Sequence, residues 1–102
     1  MDAALDSNNT MGYRENMPEI SRFFGVTIAM HFNDHNPPHF HVEYGECQAS
    51  IAINDFALMQ GDLPARILGS VVEWASLHKQ ELIEDWNSIQ GTGKCFKIKP
   101  LI

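Results

Sequence analysis

The spacing of apolar residues changes once along this chain, at the turn Gln60-Gly61-Asp62. Before the turn every second residue of several segments is apolar, and after it every third or fourth residue is. The first spacing is typical of half-buried strands and the second of one helical stripe. We therefore expect an α+β domain, in which a three- or four-stranded antiparallel meander packs on one long C-terminal helix.

Three segments carry the strand pattern. Residues 25 to 33 and 39 to 44 alternate, and Gly45-Glu46 is a two-residue hairpin signal before a third strand over residues 47 to 54. Residues 55 to 59 suit a short fourth strand, and residues 95 to 99 suit an edge strand. The apolar set expected to face the helix is Val26, Ile28, Met30, Phe40, Val42, Ile51 and Ile53.

The predicted helix has recognisable ends. Asp62 is a candidate N-cap, Pro64 suits the first turn, and Gly91 with Gly93 supplies the stop. An alternative architecture breaks this helix into two near His78. On a single continuous helix Trp86 falls on the apolar stripe and belongs to the core.

Trp74 precedes Trp86 by twelve residues. At 3.6 residues per turn this spacing rotates Trp74 to the flank of the stripe. We expect a partly buried Trp74, with the alternative that it anchors a protein partner.

Length and charge restrict the class of protein. The 102 residues allow one domain, expected over residues 17 to 102, after a loose polar extension over residues 1 to 16. The net charge of -6 disfavours DNA binding, which depends on Lys and Arg. Two cysteines without CxxC spacing, together with the lack of a signal peptide or an apolar run of membrane length, predict a cytoplasmic protein that does not enter membranes.

Four of the five histidines fall between residues 31 and 41. If the first two strands pair around the Asn36-Pro37-Pro38 loop, Asn33 opposite His39 also places His31 opposite His41. Strand parity then gathers four side chains on the face away from the helix, with Phe40 and Val42 buried beneath it. These side chains are His31, His39, His41 and Glu43, with His35 in the loop above them.

Three kinds of site use these residue types. His39 and His41, joined by His31 or His35, can ligate a divalent metal and leave a position for water. His35, His39 and His41 can instead act as acid and base on RNA, because imidazole titrates near neutral pH. A partner surface is the third reading, with binding residues Asp34, His31, Glu43 and Trp74. Against all three stands a structural reading, in which the prolines fix a loop and the histidines are hydrogen-bonded surface residues.

Residues 18 to 102 resemble a family of small bacterial proteins catalogued as domain of unknown function 4160. The resemblance rests on residues 18 to 25, on residues 34 to 45, and on the Gly61-Asp62-Leu63-Pro64 turn before a Trp-containing helix. It places the family signature on Asp34, His35, Pro37, Pro38, His39 and His41, and leaves His31 outside it. Such proteins are often encoded beside another small domain and look like toxin-antitoxin or mobile-element cargo.

Two functions follow as expectations. The first is a toxin-antitoxin-type component that acts through macromolecular binding, with an RNA-directed histidine site as one form of it. The second is a noncatalytic interaction module whose histidine motif shapes a loop. We expect a homodimer or a small protein partner, because an open sheet face and exposed strands recruit other chains. No cofactor is expected, with a divalent metal as the alternative.

Overall fold

The computed structural model describes residues 17–32 and 34–102, so the predicted extension over residues 1 to 16 lies outside the described residues. Five antiparallel strands form one sheet in the order β1-β2-β3-β4-β5, a simple meander. Two helices follow. The elements are β1 (Glu19–Phe23), β2 (Val26–Ala29), β3 (His39–Tyr44), β4 (Cys47–Ala52), β5 (Leu58–Gly61), α1 (Ala65–Leu77) and α2 (Lys79–Thr92).

The α+β class and the predicted core face are confirmed. All seven apolar residues expected to face the helix are at most 1% exposed, and they form one cluster with buried residues of α1 and α2. The hairpin at Gly45-Glu46 is also confirmed, because β3 and β4 join there with Tyr44 opposite Cys47. Alternating side chains on paired strands therefore place the core on one face.

The strand count is higher than predicted, because β1 was missed. Its pairing with β2 is irregular between Glu19 and Ser21, which leaves Ile20 as an extra residue. Ile20, Ser21 and Phe23 are all buried. A bulge of this kind breaks the alternation by which a strand is recognised in a sequence. The last strand is also displaced, since β5 covers residues 58 to 61.

The single long helix is wrong, and the two-helix alternative is confirmed. The backbone of His78, at φ -124° and ψ 26°, interrupts the helix between α1 and α2. His78 contacts Glu81 through its ring and lies 5.7 Å from the ring of Trp74. Asp62 is not the N-cap, because α1 begins after Pro64 without a side-chain cap. Gly93 ends α2, as predicted, and has the left-handed conformation. The prediction for Gly91 is wrong, because Gly91 lies within α2.

The flank position predicted for Trp74 is also wrong. Its side chain is fully buried and packs against Phe23 and Phe40 at ring-centroid distances of 5.5 and 5.9 Å. The twelve-residue rotation assumed one straight helix, which the break at His78 removes. Trp86 is buried as predicted.

The C-terminal segment packs on the other elements without forming a strand. The Ile98 N–H donates to the Ile20 carbonyl at 2.8 Å, and Trp74 Nε1 donates to the Lys99 carbonyl at 2.8 Å. Asp85 Oδ1 accepts from the Phe96 N–H at 2.7 Å, and this helix carboxylate is buried. The predicted edge strand is therefore a chain segment fixed by single hydrogen bonds.

Within residues 17–32 and 34–102, neither helix has the length and apolar character needed to cross a membrane.

Candidate functional site

A histidine-aspartate cluster forms where the loop before β3 folds back on the sheet. Asp34 lies in that loop, His39 is the first residue of β3, and His41 follows two positions later on the same side of the strand. The peptide between Asn36 and Pro37 is cis. Loop and strand together bring a carboxylate over two imidazoles.

One carboxylate oxygen of Asp34 meets both imidazoles. Asp34 Oδ2 lies 2.8 Å from His39 Nε2 and 3.1 Å from His41 Nε2. Asp34 Oδ1 accepts the backbone N–H of His35 at 2.9 Å and lies 3.2 Å from His35 Nδ1. The two carboxylate oxygens of Asp34 thus contact different residues.

The far nitrogen of each ligand-like imidazole is held by a second group. His39 Nδ1 donates to the Pro37 carbonyl at 2.7 Å, since a carbonyl can only accept. His41 Nδ1 lies 3.3 Å from Ser50 Oγ, a hydroxyl that can donate or accept. These contacts fix the orientation of both rings and leave each Nε2 directed at Asp34.

The predicted accessibility of His39 is wrong. The residue is 3% exposed, and its ring lies 5.3 Å from the ring of Trp86 and 5.0 Å from that of His41, measured between centroids. The side chain of His41 is 20% exposed, and Phe40 beside them is buried as predicted. Strand parity is therefore right, but α2 extends over the start of β3.

Burial and charge act together on the cluster. Burial lowers the pKa of His41, and the neighbouring His31 and His39 lower it further against the opposing effect of Asp34. Burial alone would raise the pKa of the Asp34 carboxyl. The hydrogen bonds from His41 and the His35 N–H, with the nearby His39, hold that pKa below its ordinary value. The site therefore favours an ionised Asp34 beside a neutral His41.

The cluster opens into a cavity of about 300 Å³. Its wall includes His31, His35, Ser50, Met59 and Gln60, besides the three cluster residues. A second cavity of about 330 Å³ shares His41, Ser50 and Gln60 with it and extends along the open face past Glu43 and Gln48. The cluster is thus reached from the sheet face opposite the helices.

The predicted register between β2 and β3 is shifted by two residues. Ala29, not His31, lies opposite His41, and β2 ends at Ala29. His31 still reaches the site, with its ring 4.4 Å from that of His41. A shift of two residues keeps the faces, which explains why the predicted set of side chains largely assembles.

The other predicted site residues, His35, Glu43 and Trp74, lie in three different environments. His35 is in the loop, with its side chain 86% exposed and its ring 6.0 Å from that of His39. Glu43 is on the open face between Thr27 and Gln48, outside the cluster of Asp34, His39 and His41. Trp74 is in the core, on the other side of the sheet from the cavities.

Ser50 was missed, although a sequence signal for it exists. The hairpin at Gly45-Glu46 fixes the register of β3 and β4, and counting outward from Tyr44 and Cys47 places Ser50 opposite His41. The roles of the Pro37 carbonyl and of Trp86 depend on the path of the loop and of α2. No local sequence pattern predicts those contacts.

The arrangement can hold a divalent cation. Asp34, His39 and His41 each offer one ligand atom, and the three atoms lie within 4.8 Å of one another. Two imidazoles and one carboxylate are ligands found in zinc and non-haem iron sites with open positions. Imidazole hydrogen bonded through its other nitrogen is the usual form of such a ligand.

Comparison with known proteins identifies the family. No curated protein and no solved structure matches this chain. A family model described as a domain of unknown function (DUF4160) matches residues 25–87, which include the whole histidine motif, β2 to β5, α1 and most of α2. The matched residues are more than half of the 102, and the chain therefore belongs to this family.

Proposed function

We propose that this chain works through a divalent metal centre, in which Asp34 Oδ2, His39 Nε2 and His41 Nε2 bind one ion. The observation that carries the proposal is the hydrogen bonding of His39. Its Nδ1 must hold a proton to donate to the Pro37 carbonyl. In the neutral ring, Nε2 is then a lone pair placed 2.8 Å from a carboxylate oxygen.

The Nε2 lone pair of His39 and the carboxylate oxygen of Asp34 are both hydrogen-bond acceptors, so at that distance they need a positive charge between them. A second proton on His39 would supply it, and so would a metal ion. The metal ion is favoured by a third ligand atom, because His41 Nε2 lies 3.1 Å from the same carboxylate oxygen. A divalent ion instead uses the lone pairs of both rings and the charge of Asp34 at once.

The spacing suits a small ion. Two ligand atoms on a tetrahedral zinc ion lie about 3.4 Å apart, from bond lengths near 2.1 Å. Asp34 Oδ2 is 2.8 and 3.1 Å from the two Nε2 atoms, so each of these two pairs needs to separate by only a few tenths of an ångström, and all three atoms lie within 4.8 Å of one another. Three protein ligands leave a fourth position for water or substrate on the cavity side.

Isothermal titration of the chelator-treated protein with Zn²⁺ tests the proposal. We expect one zinc per chain, and a loss of that binding in His39→Ala and His41→Ala. His78→Gln is the matched control, because His78 lies outside the group of four histidines between residues 31 and 41 and contacts Glu81. Equal zinc binding by the parent and both cluster variants, with folding verified by circular dichroism, would refute the metal centre.

For the cellular role we propose a toxin-antitoxin-type component that acts through macromolecular binding in the cytoplasm. The family resemblance supports this role, and the free thiols of Cys47 and Cys95 are compatible with a reducing compartment. A homodimer or a small protein is the proposed partner. RNA remains the alternative target, for which the histidine cluster would be the site.

A noncatalytic interaction module is the second candidate. The observation in its favour is that Asp34 already ties the loop to β3 through His39 and His41. Induced expression of the chain alone in bacteria separates the two. Growth arrest that is lost in His39→Ala and retained in His78→Gln would support an active site, and harmless expression would support the module.

A further inference from the structure

We propose that the edge strand β5 binds an extended cationic peptide, which adds to the sheet as a further strand and places a basic side chain in the cavity beside Glu43. The inference goes beyond the proposed metal centre and does not depend on it. It starts from the order of the strands, in which β5 is the last and, among the described residues, pairs with β4 only.

β5 lacks the charged side chains and the prolines that commonly protect an edge strand. Its residues, Leu58–Gly61, are uncharged and all exposed. The outer side of an edge strand presents backbone N–H and C=O groups that can pair with an added strand. The other edge of the sheet differs, because the C-terminal segment lies against β1 and the Ile98 N–H donates to the Ile20 carbonyl at 2.8 Å. Backbone pairing can therefore be extended at β5.

β5 also forms part of the wall of both cavities. Its pairing with β4 is irregular between Ser50 and Ile51, which leaves Met59 as an extra residue. Met59 and Gln60 line the smaller cavity, and Gln60 and Gly61 line the larger one. Successive side chains of a strand point to opposite faces, so every second side chain of a peptide beside β5 would point to the face of the cavities. In such complexes backbone hydrogen bonds give affinity, and pockets for alternate side chains give specificity.

Glu43 indicates the charge of the side chain that enters the larger cavity. It is half-buried and lines this cavity together with Gln48 and Gln60. No ion pair joins Glu43 to a cation among the described residues, and Arg22, two strands away on the same row, pairs with Glu19 at 2.7 Å. None of the described residues that line either cavity is Lys or Arg. A carboxylate beside side-chain amides complements an ammonium or guanidinium group.

The charges around β5 favour a basic peptide over a second copy of this chain. Asp55 precedes β5, Asp62 follows it, and both are exposed. A second copy would bring the same carboxylates to the edge, and each copy has a net charge of -6. Like charges placed across a strand pair are destabilising. A basic peptide instead brings the opposite charge to the flanks of β5 and to Glu43.

The test measures fluorescence anisotropy of labelled octapeptides with the full chain in metal-free buffer. One peptide alternates valine and lysine, and the other alternates valine and glutamate. We expect the lysine peptide to bind more tightly by about tenfold or more, and Glu43→Gln to lower its affinity by about tenfold, because the variant keeps the size and removes the charge. Glu84→Gln is the matched control, since Glu84 is exposed on α2 and its loss changes the net charge equally.

A third peptide tests the backbone pairing. The lysine peptide with every backbone amide N-methylated keeps its charges but cannot donate to β5, so we expect its binding to be lost. Equal binding of this peptide would overturn strand addition, and equal binding of the lysine and glutamate peptides, or no binding of either, would overturn the proposal. Equal binding by folded Glu43→Gln and the parent would overturn the role of Glu43. Self-association of the chain that competes with the lysine peptide would place a second copy on this edge instead. The zinc titration is independent of these results, so the two proposals can fail separately.

Discussion

Asp34 determines what the histidine motif can do, because its two oxygens join side chains from the loop and from β3. Oδ2 contacts His39 and His41, and Oδ1 contacts His35. A carboxylate with a lowered pKa stays ionised at more acidic pH than an ordinary aspartate and keeps these contacts. The same contacts make the stability of the fold depend on pH in two separate ranges.

The range nearer neutrality belongs to His41. Its pKa lies below the ordinary value of 6.5, so as the pH falls through that value the unfolded chain takes up a proton before the folded chain does. Stability therefore decreases with falling pH until the folded-state pKa is passed. Asp34 acts in a more acidic range, below its ordinary value of 3.8, where its stabilising ionisation is lost.

We expect His41→Gln to flatten the fall in unfolding free energy between about pH 7.5 and 5, because glutamine does not titrate. Urea unfolding at a series of pH values in metal-free buffer measures it. Ser76→Ala, on an exposed helix position, serves as the comparison and should keep the slope of the parent, because neither side chain titrates. A variant slope equal to that of the parent would show that His41 does not cause the dependence.

Ser50 tests whether a contact to the far nitrogen of His41 strengthens binding at the proposed metal centre. It lies 3.3 Å from His41 Nδ1 and touches the imidazole on the side away from Asp34. Loss of such a supporting contact typically lowers metal affinity by 10- to 100-fold. We expect Ser50→Ala to weaken zinc binding by about tenfold, while Ser76→Ala, on an exposed helix position, leaves it unchanged. Equal affinities in a zinc titration would contradict this role for Ser50.

The sequence predicts which residues form the site, but it does not predict how exposed they are. Alternation in β3 predicts that His39 and His41 share a face, and the hairpin register adds Ser50. The burial of His39 is not predictable in this way, because it depends on Trp86, which lies on a helix more than forty positions later in the chain. Contacts between distant elements carry no periodic signal, so the composition of the cluster is predictable but its solvent exposure is not.

At the scale of elements, the sequence predicts regular segments and misses irregular ones. β3 alternates strictly, β4 alternates up to Ile51, and a tight turn joins them, so both are predictable. β1 has a bulge at Ile20, and the helix has a break at His78, where the backbone leaves helical geometry. Each irregularity changes the phase of a repeat, which is the property by which a repeat is recognised.

The pairing of β4 with β5 depends on a close approach at Gly61. A Cβ at this position would lie 1.9 Å from the Gln48 carbonyl oxygen, and the residue has a φ of 76°. We expect Gly61→Ala to destabilise the protein by about 2 kcal/mol or more, through strain and overlap with the neighbouring backbone.

Gly69 is the matched control for Gly61. It lies within α1, and nothing is within 4 Å of the position its Cβ would take. Gly69→Ala should therefore stabilise the protein by about 0.5 to 1 kcal/mol, from helix propensity. Thermal unfolding of both variants measures the two changes. Shifts of the melting temperature in the same direction would contradict the close approach at Gly61.

In the whole molecule, the two faces of the sheet differ, and the candidate site lies on the face away from the helices. The two helices cover one side of the sheet and complete the core, while the cavities open on the other side through His41, Ser50 and Gln60. The chain has 13 acidic residues against 7 basic ones, and three of the basic ones are Lys94, Lys97 and Lys99. Positive charge is thus concentrated in the C-terminal segment that packs on β1 and α1.

This charge distribution predicts the response to nucleic acids. Non-specific DNA affinity arises from Lys and Arg placed against phosphates, with dissociation constants of about 10⁻⁴ to 10⁻⁶ M for proteins that bind it. We expect binding of a labelled random DNA duplex to be weaker than about 10⁻⁴ M at 0.15 M salt, measured by fluorescence anisotropy. Tighter binding that weakens with added salt would contradict the prediction. A single-stranded RNA measured in parallel tests the alternative target, since RNA binding that disappears when the three C-terminal lysines become glutamine would place the contact on that segment.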